Sequence, residues 1–411
     1  MSDIMQFKLS FLIPEALNGT LIWEIVKDGT QALSAHYENG QLMILSRFSV
    51  SESPLLLTFP APEGANIDYV YRPYRIELWI DGKLVDENWQ HGEPLFSDMD
   101  VESLCEKNGY SFSDVDEPAE EPAVIRSFTG AMGWRPDENE FVGDCMPYSH
   151  EGRYHVLYLK DRRHHGSKWG LGAHQWSHIS SPDLVHWDVH PMAVPIDDAS
   201  EASICTGSWI EKDGLHRLYY AVRQNDWGPA PLRRSVSTDG YHYKKDKDFE
   251  VYISDRYLQK HARDPKIIFG ADGKWHMLVT TTDLSCGKGC LVHLVSDDEQ
   301  NWTELEPEFI GDTPDEPECP DYFLYKGKYY MLFSIKGKAH YRYSDEPFGA
   351  WQIPADAVIE CGSVPKCAIW NDRIIFTGFE CVGGYAGNLT FVEAFTDENG
   401  ELHTKPVPEM N

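Results

Sequence analysis

Long apolar runs are missing from this chain. Nowhere in its 411 residues is there an uninterrupted apolar stretch of membrane-spanning length, and the start, MSDIMQFKLSFLIPEALNG, has no apolar core behind a basic end. These absences predict a soluble, cytoplasmic protein with no membrane partner. Basic charge is scarce as well: 36 Lys and Arg stand against 66 Asp and Glu, a formal net charge of -30. Such a surface repels phosphate backbones and anionic lipid, which argues against nucleic acid as a partner. Paired cysteines are also wanting. Nine cysteines, an odd number, are scattered over the chain and read as free thiols rather than a disulfide framework. Cys286-Gly-Lys-Gly-Cys290 has no second Cys or His pair at ligand-like spacing, so it reads as a strand-end loop and no metal is expected. Finally, no long amphipathic helical pattern appears, which leaves an essentially all-β chain.

What is present is repetition. A glycine or acid followed by an aromatic and aliphatic strand recurs as GRYHVLYL from Gly152, GLHRLYYA from Gly214, GKWHMLVT from Gly273, GKYYMLFS from Gly327 and, more weakly, DRIIFTGF from Asp372. A second marker keeps the same period. Ser181-Pro-Asp183 precedes Trp187, Ser237-Thr-Asp239 precedes Tyr243, Ser296-Asp-Asp298 precedes Trp302 and Ser344-Asp-Glu346 precedes Trp351, with a degenerate fifth copy at Thr396-Asp397. Turn chemistry from Ser and Asp thus leads each time into an aromatic that can pack between neighbouring sheets. Units of roughly 40 to 60 residues with several short strands each predict a five-bladed β-propeller.

Before the repeats, residues 1–112 alternate in short β-rich runs such as FKLSFLI, TLIWEIV, LMILSRF and PLLLTF, and Asp81-Gly82 turns RIELWI into KLVDENW. This region predicts a separate β-sandwich with a helical turn near Val101 to Lys107. The acidic, proline-bearing residues 113–123 predict an exposed linker, and residues 124–411 the propeller.

Counting back from the glycines, Asp144 sits 8 residues before Gly152, Asp264 9 before Gly273 and Glu318 9 before Gly327. Equivalent places in a closed radial repeat face one axis, so three carboxylates are expected to converge. Glycoside cleavage needs one carboxylate to attack or to activate water and one acid to protonate the leaving oxygen; a third can bind ring hydroxyls. On the residues alone a single acid among 66 is a solvated surface group, and the shared repeat position is what sets these three apart.

Their neighbours bring a resemblance. Arg263-Asp264-Pro265, Glu318-Cys319-Pro320 and the segment WGLGAHQWSHISSPDLVHW from Trp169 to Trp187 resemble glycoside hydrolase family 32, the invertase, levanase and inulinase group of β-fructofuranosidases. The resemblance covers roughly residues 130 to 350. It implies Asp144 as nucleophile, Asp264 as transition-state stabiliser with Arg263 beside it, Glu318 as acid/base with Cys319 next to it, and sugar contacts from Ser208 of the segment Cys205 to Ser208. Trp169 and Trp176 match family tryptophans near the sugar; stacking on its apolar face and packing between blades both remain open for each. His164-His165 beside Arg162-Arg163 reads as a solvated loop or as part of the pocket mouth. Two departures stand out: GDCMP, Gly143 to Pro147, replaces the family's Asn-Asp-Pro-Asn-Gly, and the β-rich domain precedes the propeller rather than following it. The implied function is retaining hydrolysis of β-linked fructofuranosyl units from a small carbohydrate without cofactor, and a homo-oligomer is compatible with it. The rival readings are an inverting arabinofuranoside-type propeller hydrolase and a non-catalytic sugar-binding propeller.

Overall fold

A computed structural model describes residues 6–15, 19–108, 110–113, 115, 126–130 and 133–410. Most of the expected linker, 114 and 116–123, lies outside the described residues. Two compact units emerge: Met1–Glu120 with His165–Ala173 and Asp197–Ala199, and Glu121–His164 with His174–Ile196 and Ser200–Asn411. No helix among the described residues is long and apolar enough to cross a membrane.

The first unit is built from two antiparallel sheets. One orders its strands Lys83–Asn88, Ile76–Ile80, Asn66–Tyr71, Phe7–Leu12 and Ser111–Ser113; the other runs Leu21–Lys27, Thr30–Glu38, Gln41–Ser46 and Leu55–Pro60. Alternate residues of both sheets, among them Phe7, Leu9, Ile67, Trp23, Leu33 and Ile44, enter a single core, the inward face of period-two strands. The Asp81-Gly82 turn has both residues at positive φ (49° and 79°), which matches the twist of its flanking strands. Asp100 caps the helix Val101–Asn108 by accepting the Ser103 N–H at 3.0 Å.

The second unit is a succession of five antiparallel meanders. Their first strands are Phe141–His150, Glu201–Lys212, Arg263–Phe269, Glu318–Tyr325 and Ser363–Trp370, and their second strands are the repeated aromatic runs of the sequence. Each first strand touches the first strand of the next meander, and the fifth touches that of the first, so the five close into a β-propeller around an axis. Closure is reinforced at two places. Val142 pairs with Gly387 of the fifth meander, and Arg126–Thr129 adds an outer strand to the first.

The Ser-x-Asp marker is the turn between third and fourth strands. Ser181 Oγ accepts the Leu184 N–H at 2.7 Å while Asp183 accepts those of Val185 and His186; Ser237 with Asp239 repeats the pattern, and Asp298 accepts from Gln300 and Asn301. Trp187 is fully buried and meets Phe391 of the fifth meander at 5.7 Å between ring centroids, the inter-sheet role expected of the marker aromatic.

Candidate active site

Every first strand carries a bulge near its start, where two residues oppose one on the second strand. The bulged pairs are 143–144, 205–206, 264–265, 319–320 and 364–365. In the last three the second member is a proline, which has no N–H to lose from the ladder. The first member is then left-handed: φ is 56° at Asp264, 50° at Cys319 and 39° at Val364. Non-glycine residues pay on the order of 1–3 kcal/mol for such a conformation, and it persists where surrounding structure holds it.

The three acids belong to this bulge, but they are not equivalent. Glu318 is the last paired residue before it, Asp264 its first member and Asp144 its second. Counting from the glycines blurred the difference because the turn after Arg263–Phe269 spans 270–274, whereas the corresponding turns at 151–152 and 326–327 have two residues. Three successive rungs, one per meander, therefore each present a carboxylate.

Neighbouring bulges hold them. Asp144 Oδ2 accepts the Thr206 hydroxyl at 2.8 Å and the Cys319 thiol at 3.5 Å, and its Oδ1 accepts the Tyr385 hydroxyl at 3.1 Å. Thr206 occupies the same bulge position in the second meander. Asp264, 3% exposed, accepts the Cys319 N–H at 2.9 Å. Its pKa is raised by burial; Arg263 opposes the rise and Asp144 adds to it. Glu318 is part-exposed, with its side chain 39% exposed, and Arg263 Nη2 donates to its Oε1 at 3.1 Å. Burial raises its pKa, Arg263 counteracts, and Asp264 and Asp144 push in the same direction as burial. Arg263 is fixed by Glu316 at 2.5 Å. Burial alone would raise Glu316, but Arg263 and hydrogen bonds from Thr282, Arg263 and His261 outweigh it and hold that carboxyl below its ordinary range.

The arrangement separates two kinds of carboxyl. Asp144 is aimed by hydroxyl donors, while Glu318 faces a cavity of about 370 Å³ with a raised proton affinity, suited to donating a proton. Arg263, Glu316, Trp227, Arg223 and Lys260 line the same cavity.

Other expected sugar contacts are committed elsewhere. Trp176 is 0% exposed, its indole N–H donates to Cys205 O at 2.9 Å and its ring meets Tyr220, so it packs between the first and second meanders and has no face for a sugar. Ser208 Oγ donates to Pro265 O at 2.8 Å and accepts the Ile267 N–H at 2.9 Å, a buried tie between meanders two and three. Trp169 packs in the core of the first unit against Phe48, at 6.4 Å between rings. Buried Cys319 supports Asp144 and Asp264. His164 is part-buried, with its Nδ1 2.6 Å from Tyr385 O, whereas His165 is exposed. Thr206 was within reach of sequence reasoning, two residues from Ser208; Tyr385, 241 residues from Asp144, carried no signal.

Comparison with known proteins gives these features a place. Residues 128–352 match the model of the glycosyl hydrolases family 32 N-terminal domain. Sucrose-6-phosphate hydrolase of Escherichia coli is 26% identical over 315 residues, covering 67% of this chain and 63% of the relative. Raffinose invertase of Escherichia coli is 27% identical over 216 residues, 50% of this chain and 42% of the relative. The fold is shared with fructan 1-exohydrolase IIa from Cichorium intybus, at TM-score 0.57 and 18% identity, covering 69% of this chain and 61% of that one. The chain thus spans less than two thirds of the length of these relatives. Matched over more than half of its own length, it belongs to glycosyl hydrolases family 32.

Proposed function

We propose that the protein is a retaining glycosidase acting on β-linked fructofuranosides, with Asp144 as nucleophile, Glu318 as acid/base and Asp264 as the carboxylate that binds the sugar. The observation that carries the reading is the three-carboxylate bulge, in which Asp144 is aimed by Thr206 and Tyr385 while Glu318, raised in pKa, opens on the cavity. Asp144 attacks the anomeric carbon as the glycosidic bond breaks, and the leaving oxygen takes the Glu318 proton. Esterification removes the negative charge of Asp144, one of the causes that raise Glu318. The glutamate is then free to deprotonate water, which hydrolyses the ester and restores both carboxyls. Arg263, donating to Glu318 and fixed by Glu316, keeps the acid in place through both steps.

The leaving group is read as an anionic sugar, as in the sucrose-6-phosphate hydrolases. Support comes from Arg223, Lys260 and His261 in the cavity wall of a chain with net charge -30, and from the half-exposed Trp227 ring beneath the Arg223 guanidinium at 5.4 Å. Product analysis tests the reaction: NMR of the first-formed sugar from sucrose or its 6-phosphate, taken before mutarotation, is expected to give β-fructofuranose, whereas an initial α product refutes retention.

A further inference from the structure

One residue past the bulge, the five first strands place Cys145, Gly207, Lys266, Asp321 and Lys366 on a common rung. Two lysines and an aspartate at the axis are unexpected, since Lys366 is 3% and Asp321 2% exposed. Asp321 is fully matched: Lys266 Nζ lies 2.6 Å from Oδ1, and the N–H groups of Tyr322 and Cys367 each donate at 2.9 Å. Lys366 is not. Its Nζ reaches from the fifth meander to the second, which are not neighbours in the ring, and donates to Gly207 O at 2.7 Å. It has no ion-pair partner among the described residues. A Cβ at Gly207 would fall 1.8 Å from Tyr219 O, so this carbonyl sits where the paired second strand comes close enough that only glycine fits.

A buried ammonium with only a carbonyl acceptor is costly unless a field compensates it. The compensating charge comes from Asp321 on the same rung and from the acids of the adjacent layer. At the depth of the bulge, the charged and titratable groups on the first strands around Lys366 are Asp144 and Cys145 of the first meander, Cys205 of the second, Arg263, Asp264 and Lys266 of the third, Glu318, Cys319 and Asp321 of the fourth, and Cys367 of its own. Lys266 is bound to Asp321, and Arg263 is a single cation shared by Glu316, Glu318 and Asp264, so the three reacting acids outnumber the cations paired with them.

We infer that Lys366 is a positioning residue of the reaction, a buried cation reaching across the propeller axis one rung from the bulge, whose charge holds Asp264 in its ionised form. The inference rests on the reading of the three acids as the reaction centre. Lys366 indeed opposes the rise that burial imposes on Asp264, and it does the same for Cys319.

The test compares Lys366→Met, Lys366→Gln and Lys366→Arg in the full-length protein. Gln keeps an N–H for Gly207 O without the charge, and Arg keeps the charge. For folded Met and Gln variants, the acid limb of kcat/KM on sucrose is expected to move to higher pH by about one unit, with activity recovering above it, while Arg retains the wild-type profile. Carbon-13 NMR of aspartate side-chain carboxyls in the substrate-free protein is expected to show the same upward displacement for Asp264. This second readout does not depend on turnover: an active Asp144→Asn variant would refute the catalytic reading, yet the Asp264 titration would still report on Lys366. A folded Met or Gln variant with unchanged limb and titration, or one that loses activity equally at all pH values, overturns the proposal. So does failure of both neutral variants to fold while Arg folds, which would make Lys366 purely structural.

Discussion

Meanders one, three and four bring the acids; meanders two and five bring none, yet all five carry the same bulge at the same depth. The difference teaches that the bulge is an architectural device, a way to turn backbone and side chains towards the axis, and that chemistry is distributed over it by residue type. The second meander supplies Thr206, a hydroxyl donor to Asp144, and the fifth supplies Tyr385 and Lys366. Acid-bearing strands react, on the proposed reading, while the acid-free ones orient and tune.

The largest effect should come from the acid-bearing side. Asp144→Asn and Glu318→Gln are nearly isosteric and should leave the thermal transition in place while reducing kcat on the order of 10² to 10⁴, measured on sucrose with purified, folded protein. Wild-type turnover in either would erase the proposed division of labour.

Arg263→Met removes the cation that lowers both Glu318 and Asp264. On the proposed reading activity needs Glu318 protonated and Asp264 ionised, so it falls as pH rises through the first pKa and as pH falls through the second. Both limbs of the pH–rate profile should therefore move to higher pH in this variant, a shift read from kcat/KM between about pH 4 and 9. A downward move of either limb contradicts the assignment of the cation.

On the acid-free side the expected changes are smaller. Thr206→Val deletes one hydrogen bond to the Asp144 carboxylate, and Tyr385→Phe deletes one to the carboxylate and a long one from the Asp144 N–H, each a loss of about 1 kcal/mol or several-fold in kcat with little change in stability. Equal damage to that of Asp144→Asn would mean that the second and fifth meanders do more than orient. Smallest in activity is Ser208→Ala: it leaves the buried Ile267 N–H without its acceptor, so urea unfolding should show a loss of about 1–3 kcal/mol while KM stays near wild type. A large KM change with unaltered stability would return Ser208 to the sugar.

The propeller was legible because its signals are local. Aromatic strands after glycine turns, and Ser-x-Asp turns before an aromatic, act through hydrogen bonds within a few residues, as Ser181 and Asp183 do with Leu184, Val185 and His186. The acids were legible through those same periods, though only to within a residue, since strand and turn lengths vary between meanders. The fates of Trp169, Trp176 and Ser208 were not legible. A tryptophan has the same composition signal whether it stacks on a ligand or fills a core, and its partner Phe48 lies 121 residues away from Trp169.

The amino-acid sequence by itself determined an antiparallel β-protein of radial repeats, its glycine turns, and which acids would come near one another, because period and turn chemistry are properties of neighbouring residues. Tertiary structure alone decided the stagger of Asp144, Asp264 and Glu318 on successive rungs, the hydroxyls that hold Asp144 and the reach of Lys366 to Gly207 across the axis. Those depend on which strand lies beside which and on where each bulge adds its residue, and ring closure sets both only when all five meanders are in place.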